Sequence, residues 1–140
     1  MSEEILFSNE VSWKGGSQGD ISFPSGEKID FALPKEFGGI EGFLSPEDIY
    51  VAAANACVLT TTLTRAKKYG VSLKSYSAKA QGVMEKAGDG WEVTQIGIKV
   101  SLEAEGDPEI LATMIDEVAK RVPVIRSMRS FVDIDFEVKS

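Results

Sequence analysis

Histidine is absent from this chain of 140 residues, and cysteine occurs once, at Cys57. Without histidine, Ser-His-Asp and Cys-His mechanisms are excluded, and a transition-metal centre loses its commonest ligand. A single cysteine excludes an intrachain disulfide and fits a reducing compartment. We therefore expect no metal and no cofactor, and any nucleophilic thiol chemistry has to use Cys57.

Positive charge is scarce, because 15 basic residues stand against 22 acidic ones and the net charge is −7. Nucleic-acid phosphates require a basic surface, so this balance argues against a nucleic-acid partner. No arginine precedes Arg65, and the basic residues upstream of it are all lysines: Lys14, Lys28 and Lys35. Later basic residues cluster within 65–68 and 120–129, where they either complement helix C-termini or form an anion site.

The chain also lacks an apolar run long enough to cross a membrane, and no basic-then-apolar leader follows Met1. Its length is typical of one domain and allows burial of roughly 70% of the unfolded surface without a disulfide or metal. We therefore expect a single cytoplasmic domain over residues 1–140, with no membrane partner.

One long helix is predicted over residues 46–69. Ser45 suits the N-cap, Pro46 suits the first helical position, and Gly70 is a natural stop. Ser45 and Asp48 have the spacing of a capping box. The centre of this segment carries no charged side chain, and a helix that is apolar all round is buried on most sides. We therefore expect a second copy of the chain to cover part of it, as a homodimer.

The remaining elements are predicted from period-two and helical patterns. Strands are expected at residues 4–13, 21–23, 28–33, 71–84, 91–103 and 131–139. A second helix is expected from Asp107 to Val122, with a break at Pro123 and a further turn or two over 124–130. The order βββ-α-ββ-α-β predicts an α+β fold with a mostly antiparallel sheet.

Two residues of the long helix are candidates for chemistry, and each has a second interpretation. Cys57 lies among alanines, where a lone cysteine is often a small buried hydrophobe. It is too far from the helix N-terminus for the dipole to activate the thiol, so a cation would have to come from elsewhere in the fold. Glu47 either complements the helix dipole or belongs to a site.

The segment from Ser45 to Cys57 resembles the motif of the osmotically inducible protein C (OsmC) and organic hydroperoxide resistance (Ohr) family, in which a proline and glutamate lead to the peroxidatic cysteine. Residues 33–39 resemble the loop before that motif. The resemblance implies an OsmC-like α+β fold, a mostly antiparallel sheet wrapped around a long central helix in an intertwined dimer. It also implies cysteine-based reduction of organic hydroperoxides, with Cys57 as the peroxidatic residue and Glu47 as the glutamate that orients an active-site arginine.

Two departures from the family pattern bear on activity. Val122 stands where the family has its second, resolving cysteine, and Asp20 lies in the region that normally supplies the arginine. Arg126 and Arg129, beyond Val122, are the candidates to replace that positive charge or to bind an anionic ligand group. Two functions follow: a one-cysteine peroxidase that uses an external thiol reductant, or a non-catalytic protein that binds a small apolar or acyl-thioester (CoA-like) ligand at the dimer interface.

Glu47 and Cys57 are ten residues apart on one helix, a rise of about 15 Å that no glutamate side chain spans. The resemblance nevertheless implies that they share a site. We therefore expect Glu47 of one chain to approach Cys57 of the other in the dimer. A carboxylate beside a thiol disfavours the thiolate, so we expect a slowly reacting Cys57 unless Arg126, Arg129 or a lysine reaches the pair.

Overall fold

The computed structural model describes residues 3–140. Its elements follow in the order β1 (Glu10–Gly15), β2 (Gln18–Ser22), β3 (Lys28–Ala32), a 3-10 turn (Lys35–Phe37), α1 (Pro46–Tyr69), β4 (Ser72–Ala87), β5 (Gly90–Glu105), α2 (Pro108–Arg121), α3 (Pro123–Arg126) and β6 (Phe131–Lys139). These residues form two compact units, an N-terminal unit that ends at Ile49 and a C-terminal unit over Tyr50–Ser140. The single domain over 1–140 stays a prediction.

The long helix α1 has the predicted bounds, Pro46–Tyr69. The Asp48 backbone N–H donates to Ser45 Oγ at 3.1 Å, and the Ser45 backbone N–H donates to Asp48 Oδ2 at 2.8 Å. This reciprocal pair is a capping box, which satisfies a backbone donor of the first helical turn and fixes where the helix starts. Gly70 follows the helix with φ at +64°, a conformation that favours glycine.

In the N-terminal unit, β1, β2 and β3 form an antiparallel sheet in that order. The predicted strand over residues 4–13 is wrong in its first part, because β1 pairs with β2 only from Glu10 opposite Ser22 onwards. The alternation of apolar and polar residues extends to residues before Glu10, but in the N-terminal unit no strand pairs with residues 4–9. Val11 and Trp13 are 58% and 77% exposed, so this strand does not cover its apolar side chains within the unit.

In the C-terminal unit, β4 and β5 form a long antiparallel hairpin, and β6 pairs with β5 in parallel. Alternate residues of β5 are buried with one face of α2, in a core that includes Val58, Ile96, Ile98, Val100, Leu102, Leu111, Met114, Val118 and Val122. Gly82 lets α1 approach β4 closely, because a Cβ atom there would lie 2.6 Å from Val51 Cγ2. The prediction of an α+β fold with a mostly antiparallel sheet is confirmed.

Several boundaries in this unit differ slightly from prediction, by one to four residues. β4 continues to Ala87, beyond the predicted end at Met84. Helix α2 ends at Arg121, and Val122 is extended (φ −74°, ψ 107°), because the residue before a proline avoids helical geometry. Among residues 3–140, no helix is both long and apolar enough to span a membrane.

Candidate functional site

Glu47 lies in the first turn of α1 but takes no part in its capping box, which is made by Ser45 and Asp48. Its Oε1 atom is buried and accepts no hydrogen bond from any described residue. A buried carboxylate oxygen without a donor is costly, since its lost hydration is not replaced. Glu47 complements the positive end of the helix dipole by its position in the first turn, and its buried oxygen without a donor makes it a candidate for a site as well.

Glu47 lines a cavity of about 330 Å³ that lies wholly in the N-terminal unit. Among the described lining residues it is the one with an ionisable side chain. The other side chains that define this "Glu47 cavity" are mainly apolar or small and include Val11, Trp13, Phe31, Leu33, Pro34 and Pro46. Gly19 makes room for one aromatic wall, because a Cβ atom there would lie 2.9 Å from Phe31 Cζ.

The three lysines upstream of α1 pair with carboxylates other than Glu47. Lys14 and Lys28 lie 3.1 and 3.5 Å from Asp20 Oδ2, and the Asp20 side chain is only 3% exposed. The hydrogen bond from Lys14, aided by the charge of Lys28, outweighs desolvation and lowers the pKa of Asp20. Lys35 pairs with Glu41 at 2.9 Å. Asp20 therefore stabilises the sheet, and these lysines already have partners.

Cys57 is a free, half-buried cysteine in the middle of α1. One side of this helix is buried in the C-terminal unit, at Ala54, Val58, Thr61, Thr62 and Ala66. The other side is exposed and consists largely of small side chains, including Ala52, Ala53, Ala56, Thr60 and Thr64. Within one chain, α1 is therefore buried on one side rather than on most sides. Cys57 lies between the buried side and the exposed side of the helix, and its side chain is half-buried.

The late arginines differ in their partners. Arg129 donates to Glu92 Oε1 at 2.6 Å, and its side chain is 84% exposed. Arg126 is exposed at the end of α3, and within residues 3–140 it pairs with no carboxylate. Its backbone N–H donates to Val122 O, which holds it one turn beyond Val122. Of the two predicted ligand-binding arginines, Arg126 has the uncommitted guanidinium.

Sequence reasoning missed a set of polar groups beneath α1. Asn55 donates to Ala78 O at 3.3 Å, while its Oδ1 is buried without a partner. Burial raises the pKa of Tyr76, an effect that the nearby Thr62 hydroxyl only partly offsets. The signal was present in the sequence, since Asn55 and Thr62 are seven residues apart, about two helical turns, and so lie on one side of the helix.

Comparisons with known proteins agree with this fold. The model of the OsmC-like protein family matches residues 39–137. An uncharacterized protein of Acinetobacter baylyi is 23% identical over 141 residues, covering 97% of this chain and 95% of the relative. The structure of an OsmC-like protein of unknown function from Vibrio cholerae is 22% identical, with a TM-score of 0.83 over 98% of this chain and 100% of that one.

The structure of an organic hydroperoxide resistance protein OsmC from Legionella pneumophila is 21% identical, with a TM-score of 0.70 over 98% of this chain and 100% of that one. At these identities the solved structures establish the fold alone, and the match to the family model covers most of the chain. The resemblance in the segment from Ser45 to Cys57 is thereby confirmed at the level of the family. This chain belongs to the OsmC-like protein family.

Proposed function

We propose that this protein is a cytoplasmic one-cysteine peroxidase that reduces small organic hydroperoxides in oxidative stress defence. The observation that carries the proposal is a free, half-buried Cys57 on α1 of an OsmC-like chain, in the segment that resembles the peroxidatic motif. The names of similar structures, which include organic hydroperoxide resistance proteins, support the substrate class. Glu47, whose buried oxygen has no partner, is the second catalytic candidate.

The chemistry needs one protein thiol and an external reductant. The Cys57 thiolate attacks the outer peroxide oxygen, the O–O bond breaks, and the alcohol leaves after taking up a proton, which leaves a sulfenic acid on Cys57. With Val122 in the resolving position, a small external thiol attacks the sulfenic acid and releases water. A second external thiol then displaces Cys57 from the mixed disulfide and regenerates the free thiol.

The proposal includes a homodimer in which Glu47 of one chain approaches the partner subunit's Cys57. Two exposed surfaces support it: the small-residue side of α1, and the apolar side chains at Ile5, Leu6, Phe7, Val11 and Trp13. Large apolar side chains left exposed together in one segment are typical of interaction sites. Turnover is expected to be slow, because the described arginines other than Arg126 have Glu92 or Glu117 as partners.

The test is turnover of cumene hydroperoxide with dithiothreitol as the reductant, for the wild type and for Cys57→Ser. We expect slow turnover by the wild type, none by the variant, and a dimedone adduct on Cys57 after one equivalent of peroxide. Serine is a matched control because it preserves size and removes only the thiolate. Equal rates for the two proteins, or the absence of a dimedone adduct, would overturn the proposal.

A second function is binding of a small apolar or acyl-thioester ligand without catalysis. The Glu47 cavity favours it because it offers a mainly apolar volume for a ligand. The lysines favour it because those paired with Asp20 and Glu41 are not available to activate Cys57. The two proposals separate in one experiment with both proteins. A binding protein would bind a fatty acyl thioester equally well as wild type and as Cys57→Ser, and the wild type would leave cumene hydroperoxide unreduced.

A further inference from the structure

We propose that a group of basic side chains near the C-terminal ends of α1 and α2 binds small molecules that carry a dianionic phosphate group. This basic cluster consists of Arg65, Lys68 and Arg121, which surround Glu117. The sequence allowed two interpretations of its late basic residues, as complements of helix C-termini or as an anion site. The structure brings members of both sequence groups together at one point of the C-terminal unit. The proposal goes beyond peroxide reduction, since it uses neither candidate catalytic residue.

Three cations share a single carboxylate oxygen in the basic cluster. The distances to Glu117 Oε1 are 3.1 Å from Arg65 Nη1, 3.2 Å from Lys68 Nζ and 3.7 Å from Arg121 Nε. Burial alone would raise the pKa of Glu117, but the hydrogen bonds from Lys68 and Arg65 outweigh it and lower the pKa, so this carboxylate is ionised at neutral pH. Three positive charges against one negative charge leave an excess of two.

The helix ends reduce this excess without removing it. The C-terminus of an α-helix carries roughly half a negative charge, so the ends of α1 and α2 together offset about one of the two positive charges. A net positive charge therefore remains around Glu117. On a chain whose net charge is −7, the basic cluster is a local attraction for anions.

The basic cluster also has hydrogen-bond donors left for a ligand. A guanidinium group carries five N–H donors and an ammonium group three, whereas Arg65 and Lys68 each make one hydrogen bond, to Glu117. The Nε atom of Arg121 is 3.7 Å from Glu117, too far for a hydrogen bond, so its planar fork of donors is unused in the described chain. Such a fork binds two oxygens of a phosphate at once. A phosphate ester presents three terminal oxygens to the three cations, one more than a carboxylate does.

A ligand can reach the basic cluster without displacing a second copy of the chain. The side chains of Lys68 and Arg121 are 52% and 60% exposed. Arg65 and Lys68 extend towards α2, because both donate to Glu117. The surface of α1 that the proposed dimer uses is instead its small-residue side, and none of the cluster residues belongs to that side or to the exposed apolar side chains of the N-terminal unit.

The test compares three ligands with the same ring and different head groups: phenyl phosphate, benzenesulfonate and benzoate. They are titrated at constant ionic strength and at pH about 6.5, above the second phosphate pKa of about 6. Binding is followed by the side-chain Nε–H resonances of ¹⁵N-labelled protein, which contains four arginines. Arg65 and Arg121 belong to the basic cluster, whereas Arg126 and Arg129 report non-specific attraction of anions.

We expect phenyl phosphate to shift the resonances of Arg65 and Arg121 at the lowest concentration of the three ligands. Benzenesulfonate has the same three oxygens with one charge fewer, so it separates the effect of charge from that of shape. Shifts of Arg126 and Arg129 as large as those of the cluster arginines, or a preference for benzoate, would overturn the proposal.

Matched variants separate the basic cluster from positive charge in general. Lys68→Gln should weaken phenyl phosphate by about twofold to fivefold, the range of one exposed ionic interaction. Lys79→Gln makes the same change at an exposed lysine of β4, outside the cluster, and should leave the affinity unchanged. Arg121→Lys keeps the charge but removes the planar fork, so it should also weaken phenyl phosphate. Equal losses for the two glutamine variants, or no loss for Lys68→Gln and Arg121→Lys, would overturn the proposal.

Discussion

The two units of this chain differ in what they bury. In the C-terminal unit, alternate apolar residues of β5 are nearly inaccessible, with Ile96, Ile98 and Val100 each 1% exposed. In the N-terminal unit, the apolar side chains of Val11 and Trp13 are exposed to solvent, whereas the carboxylate of Asp20 is only 2% exposed. The C-terminal unit therefore has an apolar core of its own. The N-terminal unit is instead stabilised by hydrogen bonds and ion pairs. Its exposed apolar surface remains available to contact a second copy of the chain or a ligand.

The largest effect is expected from a core truncation in the C-terminal unit. Ile98→Ala removes buried methyl groups and should lower the free energy of unfolding by about 2–5 kcal/mol, as measured by chemical denaturation. Ile40→Ala makes the same change at a side chain that is 43% exposed in the N-terminal unit and lies outside the proposed dimer surface. Its cost should be below about 0.5 kcal/mol. Comparable losses for the two variants would break the contrast between the units.

The proposed dimer is tested on the exposed side of α1. Ala53→Glu adds a charge to an exposed helical position, so it should leave a single chain folded and prevent two copies of α1 from packing together. Ala112→Glu makes the same change on the exposed side of α2 and should have no effect on assembly. Sedimentation at micromolar concentration should show dimers for the wild type and Ala112→Glu and monomers for Ala53→Glu. A monomeric wild type would end the dimer proposal.

The buried charge of the N-terminal unit predicts an acid-sensitive stability. The pKa of Asp20 is lowered in the folded chain, so its ionised form stabilises the fold above the unfolded pKa. That stabilisation is lost as the pH falls from about 4 through the lower, folded pKa. Asp20→Asn should therefore be less stable than the wild type at neutral pH, and the difference should shrink on acidification.

The matched control for this prediction is Asp30→Asn, which lies opposite Asp20 in the sheet register but is exposed. Unfolding midpoints of the three proteins between pH 2 and pH 7 would provide the comparison. A difference between Asp20→Asn and the wild type that stays constant over this range would show that the Lys14 and Lys28 pairs contribute nothing specific to the folded state.

Local signals were enough to predict much of this fold. The capping residues Ser45 and Asp48 and the stop at Gly70 fix both ends of α1, and these are contacts within a few residues of sequence. The alternation in β6 predicted its bounds, Phe131–Lys139. What the pattern could not reveal was the partner of each strand. The pattern therefore did not show that β1 pairs with β2 only from Glu10 onwards, nor that β6 runs parallel to β5.

The site was less predictable because it depends on which charges meet in space. The sequence identified Glu47 and Cys57 as candidates and Ser45 with Asp48 as a capping box, but it could not show that Glu47 Oε1 is buried without a donor among the described residues. Nor could it separate Arg126 from Arg129, which are similar in sequence terms and differ only through Glu92 on a distant strand. Such pairings depend on long-range topology rather than local spacing.

The smallest expected effect concerns these two arginines and the reactivity of Cys57. Arg126 has no carboxylate partner in the described chain, so its charge is available to stabilise a thiolate or an anionic ligand. The charge of Arg129 is largely compensated by Glu92 at 2.6 Å. Arg126→Ala should slow alkylation of Cys57 by iodoacetamide by about twofold to fivefold, the range of a weak ionic interaction. Arg129→Ala should leave the rate unchanged.

Salt dependence distinguishes this electrostatic effect from a change of packing. Raising the ionic strength should reduce the difference between the wild type and Arg126→Ala, because screening weakens an exposed charge and leaves contact surfaces as they are. Equal rates for the wild type and Arg126→Ala at low salt would remove Arg126 from the proposed site. A slower rate for Arg129→Ala than for Arg126→Ala would instead assign the role to the arginine that is paired with Glu92, and would require that pair to open before Cys57 reacts.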